Sequence, residues 1–149
     1  MSQVSTANAT GTATPFEAWR CLLYEHMRAR PTPVLVAADG VSPGASLWSA
    51  SRLWANHLRA LGLAPGDRVA LALPASRAFV AAMVGASFSG ITVAPCDPRR
   101  LHAEGAQPVL DELDARVIIG EAHHHGHHEA CIRVGYAGGP DEAQTVNPR

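Results

Sequence analysis

Lysine is absent from this chain: all twelve basic side chains among its 149 residues are arginines. Schiff-base chemistry therefore has no amine here, and the lysine that commonly clamps a nucleotide phosphate is missing. Cysteine is scarce, with three residues at Cys21, Cys96 and Cys131. They are far apart and odd in number, and form no metal or redox pattern. The three read as small buried apolar residues in a reducing, cytoplasmic compartment. Charge of either sign is balanced, with a formal net charge of -1. No basic excess marks a nucleic-acid or polybasic membrane surface. No apolar run reaches the roughly 20 residues of a membrane span. Neither G-x-G-x-x-G nor G-x-x-x-x-G-K-[ST] occurs, so no phosphate cradle can be assigned.

What is present is a globular pattern. Hydrophobic residues make up 47% and charged residues 17%, enough for one domain with its own core. The first residues, "MSQVSTANATGTAT", have neither the basic start nor the apolar centre of a signal peptide. Residues 1–13 read as a disordered lead-in. Thr14-Pro15-Phe16-Glu17 then makes a capping box with proline at the first helical position. Phe16, Trp19, Leu23 and Met27 follow at helical spacing. "VLVAA" at 34–38 reads as a buried strand, Asp39-Gly40 as a turn, and "VSPGAS" as an irregular loop.

Leu47, Ala50, Trp54, Leu58 and Leu61 form the clearest amphipathic stripe, opposite Ser49, Arg52, Asn56 and Arg59. Gly62 falls where a left-handed helix stop is expected, with Leu63 folding back on the last turn. Pro65-Gly66 turns the chain into the strand "RVALAL" at 68–73. Another helix follows, with Phe79, Val80, Met83, Val84 and Phe88 as its expected inner face and Gly90 as its stop. "ITVAP" is a strand, 105–113 a short helix, and "RVIIG" at 116–120 a further strand. This alternation predicts an α/β fold, a mostly parallel sheet with helices on both faces, over residues 14–120. Residues 121–149 read as a His-rich loop and C-terminal tail, with "CIRVGY" a candidate for one more strand.

Parallel sheets bind ligands beyond the carboxyl ends of their strands. Those ends carry Ser76 and Asp97, which read as helix caps, and Cys96, which has no histidine near it in sequence. The chemically loud segment is "HHHGHH". His123, His124, His125, His127 and His128 offer imidazoles to Zn²⁺, Ni²⁺ or Cu²⁺. No cysteine or carboxylate completes a tetrahedral set at typical spacing, so a solvated loop stands beside a metal site as its reading. His26, His57 and His102 stand alone and read as structural.

Composition and spacing stop at an α/β domain. A resemblance goes further. "LWSASRLWANHLRALGLAPGDRVALALPASRAFVAAMVGASFSGITVAPCDPRR" resembles the start of the adenylate-forming superfamily. That family comprises acyl-CoA synthetases, peptide-synthetase adenylation domains and luciferases. The shared order is a helix ending in Leu-Gly, Pro-Gly-Asp-Arg-Val leading a strand, a helix ending in Gly, and a strand running into Pro-x-Asp-Pro. "PTPVLVAADG" and "LDELDARVIIG" resemble the flanking elements. Where the family usually has an aromatic and an acidic residue before Leu47, this chain has "PGAS".

The resemblance implies the first part of the family's N-terminal domain. It implies a reaction in which a carboxylate joins ATP, pyrophosphate leaves, and the acyl-adenylate passes to CoA or a carrier thiol, with Mg²⁺. The phosphate loop, its lysine and the distal catalytic lysine belong to later family segments. No catalytic or cofactor-binding residue carries over, and ATP, Mg²⁺ and the thiol are implied only for a complete member. The chain is expected to be a truncated or split ligase, with a homodimer or a complementing ligase fragment as partner and no nucleic acid or membrane span. A non-catalytic interaction module of the same fold, or a metal-binding module through the His tract, remain as alternatives.

Overall fold

The computed structural model describes residues 15–29, 32–101, 111–120 and 131–133. Helix α1 (Pro15–Ala29) leads into a hairpin of β1 (Pro33–Ala37) and β2 (Gly40–Pro43), then α2 (Gly44–Ala60). Strand β3 (Arg68–Ala72), α3 (Arg77–Phe88) and β4 (Thr92–Pro95) follow, with a 3₁₀ turn at Pro98–Leu101. β5 (Val117–Gly120) and β6 (Cys131–Arg133) complete the set. β6 lies inside "CIRVGY". The capping role of Thr14 and most of the expected helix at 105–113 fall outside the described residues, although 111–113 are helical.

The main sheet runs in the order β4-β3-β5-β6, and every neighbouring pair is parallel. Side chains alternate across it. Val69, Leu71, Val117 and Ile119 point to one face, where they meet Trp54 and Leu58 of α2 and the alanines of α3. Ala70, Ala72 and Ile118 point to the other, against Cys96, Leu113 and Ala115. Both faces of β3 and β5 are thus covered, which is why these strands read as unbroken apolar runs.

Both long helices that pack on the sheet end in the same way. The Leu63 N–H donates to the Leu58 carbonyl at 3.1 Å, and Gly62 N–H to the Arg59 carbonyl at 3.0 Å. After α3, the Ile91 N–H reaches Ala86 at 3.0 Å and the Gly90 N–H reaches Ser87 at 3.1 Å. Gly62 and Gly90 have φ of 80° and 69°, the left-handed values this cap needs. Each glycine is followed by a buried anchor, Leu63 or Ile91. Between them, Ala64-Pro65-Gly66-Asp67 closes a turn through an Asp67 N–H to Ala64 carbonyl bond of 3.0 Å, and so aims β3 into the sheet.

Four expectations are corrected. The "VLVAA" segment is a strand, but it is not buried in the parallel sheet. It pairs antiparallel with β2, and Val36 is 75% exposed. "VSPGAS" is not irregular: it supplies β2 and the first turn of α2. There Gly44 lies so close to α1 that a Cβ would stand 1.9 Å from the Met27 carbonyl oxygen, which leaves no room for a side chain at this position. The inner face of α3 is its small face. Ala78, Ala81, Ala82, Val84, Gly85 and Ala86 are buried, while Phe79, Val80, Met83 and Phe88 are only partly so. The helix is pressed against α2, leaving no room for large side chains. Lastly, Cys21 is exposed on α1 rather than buried, and Cys96 is half-buried.

Candidate functional site at the carboxyl edge of the sheet

The strand order sets where a ligand would sit. From β3 the chain steps to β4 on one side, then crosses to β5 and β6 on the other. The reversal places the crevice of an open parallel sheet beyond the carboxyl ends of β3 and β5. Ala72 and Gly120 are partners there, so both strands finish level. β3 leaves through Leu73-Pro74-Ala75-Ser76, and β4 through Cys96-Asp97.

Ser76 caps α3: its hydroxyl accepts the Phe79 N–H at 3.2 Å. A second acceptor comes from far away in sequence. Asp39, in the β1–β2 turn, takes the Arg77 N–H at 3.2 and 3.3 Å and the Arg77 Nε–H at 3.4 Å. The positive end of the α3 dipole is therefore already occupied by one of the chain's own carboxylates. Sequence reasoning missed this pair because 38 residues separate its members; the only signal was an aspartate at a turn.

Asp97 behaves as the sequence suggests. Its Oδ1 accepts the Arg99 N–H at 3.0 Å, opening the 3₁₀ turn, and the Arg99 guanidinium grips the same carboxylate at 3.1 Å. That bond and the adjacent negative charge push the Arg99 pKa up. Beside it the Cys96 thiol is held above its ordinary pKa by burial. It stays protonated at neutral pH, which argues against a nucleophile.

Ser76 and Asp97 are thus caps, and no nucleophile–base pair lines the edge among the described residues. Nor do these residues gather three His, Cys, Asp or Glu side chains as a metal would need. Among the described residues at this edge, the α3 N-terminus faces Asp39 rather than standing open to a phosphate, and no lysine is available beside it. His123, His124, His125, His127 and His128 belong to the stretch between Gly120, where β5 ends, and Cys131, where β6 begins. They lie outside the described residues, as does His102. His26 is exposed on α1 and His57 half-buried on α2.

With this geometry in hand, likeness to known proteins is informative. Residues 33–146 match the family model described as AMP-binding enzyme. The isonitrile lipopeptide synthase of Streptomyces coeruleorubidus is 33% identical over 103 residues, 68% of this chain and 7% of that protein. The crystal structure of IdnL1 superposes with a TM-score of 0.69 at 26% identity, covering 85% of this chain and 26% of IdnL1. VinN, solved in complex with 3-methylaspartate, gives a TM-score of 0.60 at 28% identity, covering 68% of this chain and 28% of VinN. The chain spans about a quarter of the length of these solved relatives and far less of the synthase. Among the described residues no helix is long and apolar enough to cross a membrane. A parallel β4-β3-β5-β6 sheet beneath α2 and α3, inside a family match covering most of the sequence, gives the conclusion: this chain belongs to the AMP-binding enzyme family and corresponds to the N-terminal segment of the adenylate-forming fold.

Proposed function

We propose that this chain is the opening lobe of an acyl-CoA synthetase-like, AMP-forming carboxylate ligase, and that it does not catalyse alone. One observation carries the second half of the reading. The α3 N-terminus, the ready anion site at the carboxyl edge, is capped by Asp39 and Ser76 rather than left open to phosphate. The absence of lysine from the chain supports it. The lobe's task is architectural. It supplies a rigid parallel sheet whose carboxyl edge forms one wall of the ligand crevice, while the groups that hold ATP, Mg²⁺ and the acceptor thiol come from the rest of a family-length protein. The balanced charge, and the free thiols of Cys21 and Cys96 among the described residues, support a cytoplasmic setting.

The test is ATP–pyrophosphate exchange by the purified 149-residue chain over a panel of amino, aryl and fatty carboxylates. We expect background rates throughout. Exchange with any of them would place the chemistry inside this chain and overturn the proposal.

A further inference from the structure

One side of α1 lines a groove. Glu17, Arg20, Cys21, Tyr24 and Glu25 recur every three or four residues and so share a face of the helix, and Trp48 of α2 completes the lining. The groove has a volume of about 430 Å³, within the range of about 300–1,000 Å³ usual for small-molecule sites. Its aromatic part is held in place by neighbours. The Trp48 ring lies edge-on to Tyr24 at 4.8 Å and to Phe88 at 4.9 Å between centroids. The Tyr24 phenol is held in turn by Arg28, whose guanidinium donates to its hydroxyl and lies 5.4 Å from its ring centroid. A ligand entering the groove therefore meets a surface already in position, which lowers the cost of binding.

The charges of the lining decide which ligand suits it. Glu17 and Arg20 each have an interaction of their own. Glu25 is exposed and makes no hydrogen bond or ion pair with another described residue. The charge the groove has left to offer is thus negative. The rings favour the same sign, because the face of an aromatic ring attracts a cation, as Arg28 already shows on Tyr24. A carboxylate ligand would instead meet two glutamates against one arginine. We propose that this groove binds a small organic ammonium ion, its charge on the Glu25 carboxylate and its apolar body against Trp48. None of the six lining residues belongs to the carboxyl edge of the sheet, and the site does not depend on the ligase reading above.

The experiment titrates the 149-residue chain with phenethylammonium chloride. It sets 3-phenylpropionate and 2-phenylethanol beside it, which carry the same ring with the opposite charge or none. Calorimetry reads affinity, and the indole N–H resonances read position, that of Trp48 being assigned through Trp48→Phe. We expect saturable binding of the ammonium with a dissociation constant of about 1 mM or below, a shift of the Trp48 resonance, and binding of the other two weaker by about fivefold or more. Glu25→Gln should weaken the ammonium about fivefold and bring it level with the alcohol. Added salt should weaken binding to the parent chain and not to that variant. Glu112→Gln, on another element, should change nothing. Thermal melts check each variant; Glu25 is exposed on a helix surface, so its variant decides if Trp48→Phe loses the fold. No saturable binding, equal or tighter binding of 3-phenylpropionate, or an ammonium complex indifferent to Glu25→Gln would each overturn the proposal.

Discussion

Gly85 of α3 lies so close to Ser51 of α2 that a Cβ on Gly85 would stand 2.5 Å from the Ser51 carbonyl oxygen and 2.5 Å from the Trp54 Cβ. Ser51 is fully buried and turns its hydroxyl back on its own helix, to the Leu47 carbonyl at 2.8 Å. This contact sets the distance between the two helices and hence how deeply Trp54 and Leu58 reach the sheet. Glycine inside a helix normally costs about 1 kcal/mol relative to alanine. Here that preference is reversed. Gly85→Ala should destabilise by up to about 2 kcal/mol, since overpacking of about 1–3 kcal/mol against the Ser51 backbone offsets a propensity gain of about 1 kcal/mol. Gly85→Val should cost more. Urea unfolding followed by circular dichroism checks this, and a stabilised alanine variant would mean that the helices do not pack this closely.

The two helix stops offer a graded comparison. At Gly62 an added Cβ meets nothing within 4 Å, so Gly62→Ala carries only the left-handed backbone penalty, about 1–2 kcal/mol. At Gly90 the same group would come 3.1 Å from the Pro65 Cβ. Moreover, the Gly90 carbonyl holds the Gly66 N–H at 2.9 Å, locking one helix stop to the turn after the other. Gly90→Ala should therefore be the more damaging of the two. Equal midpoints in parallel denaturation curves would contradict that ordering.

Much of this was legible because it is local. The Gly62-Leu63 and Gly90-Ile91 stops, the Pro65-Gly66 turn and the Ser76 cap each involve residues within a few positions of one another, and each has a distinctive residue type. The hairpin and the inner face of α3 were not legible, for two physical reasons. A five-residue apolar run such as that around Val36 carries no record of what covers it. Large residues such as Phe79 and Met83 are placed inside by size alone unless one knows that Gly85 meets Ser51. The candidate edge divides in the same way: the Asp97 cap is local, whereas Asp39 reaches Arg77 only through the tertiary fold.

Asp67 should shape the acid limb of stability. Its carboxylate accepts the Ala64 N–H at 2.7 Å and the Arg116 guanidinium at 2.7 Å. The backbone bond to Ala64 lowers its pKa from 3.8; partial desolvation opposes the shift, and Arg116 adds to it. A carboxyl whose folded pKa lies below its unfolded value binds fewer protons when folded. Its stabilising contribution is present above the unfolded pKa and fades as pH falls through the folded one. Asp67→Asn should accordingly lower stability at neutral pH and flatten the loss below about pH 4. Thermal midpoints of both proteins across pH 2–7 provide the measurement, and parallel curves would contradict the assignment.

The histidine tract carries a separate expectation. Zn²⁺ should bind at His123, His124, His125, His127 and His128 with micromolar or weaker affinity, as imidazoles closely spaced in sequence do adventitiously. Binding should fall away as pH drops through the imidazole range near 6.5, where protons compete for the nitrogens. Calorimetric titration of the chain, and of a variant with all five replaced by glutamine, tests it. Nanomolar affinity lost in that variant would instead establish a dedicated metal site.

The most direct measurement for the account as a whole is ATP–pyrophosphate exchange run on the 149-residue chain by itself and joined to the remainder of a family-length ligase. The chain alone should give background rates with every carboxylate, and the joined protein should give exchange with at least one. Exchange by the chain alone would contradict the view that this sheet and its helices are one wall of a site whose chemistry lies elsewhere.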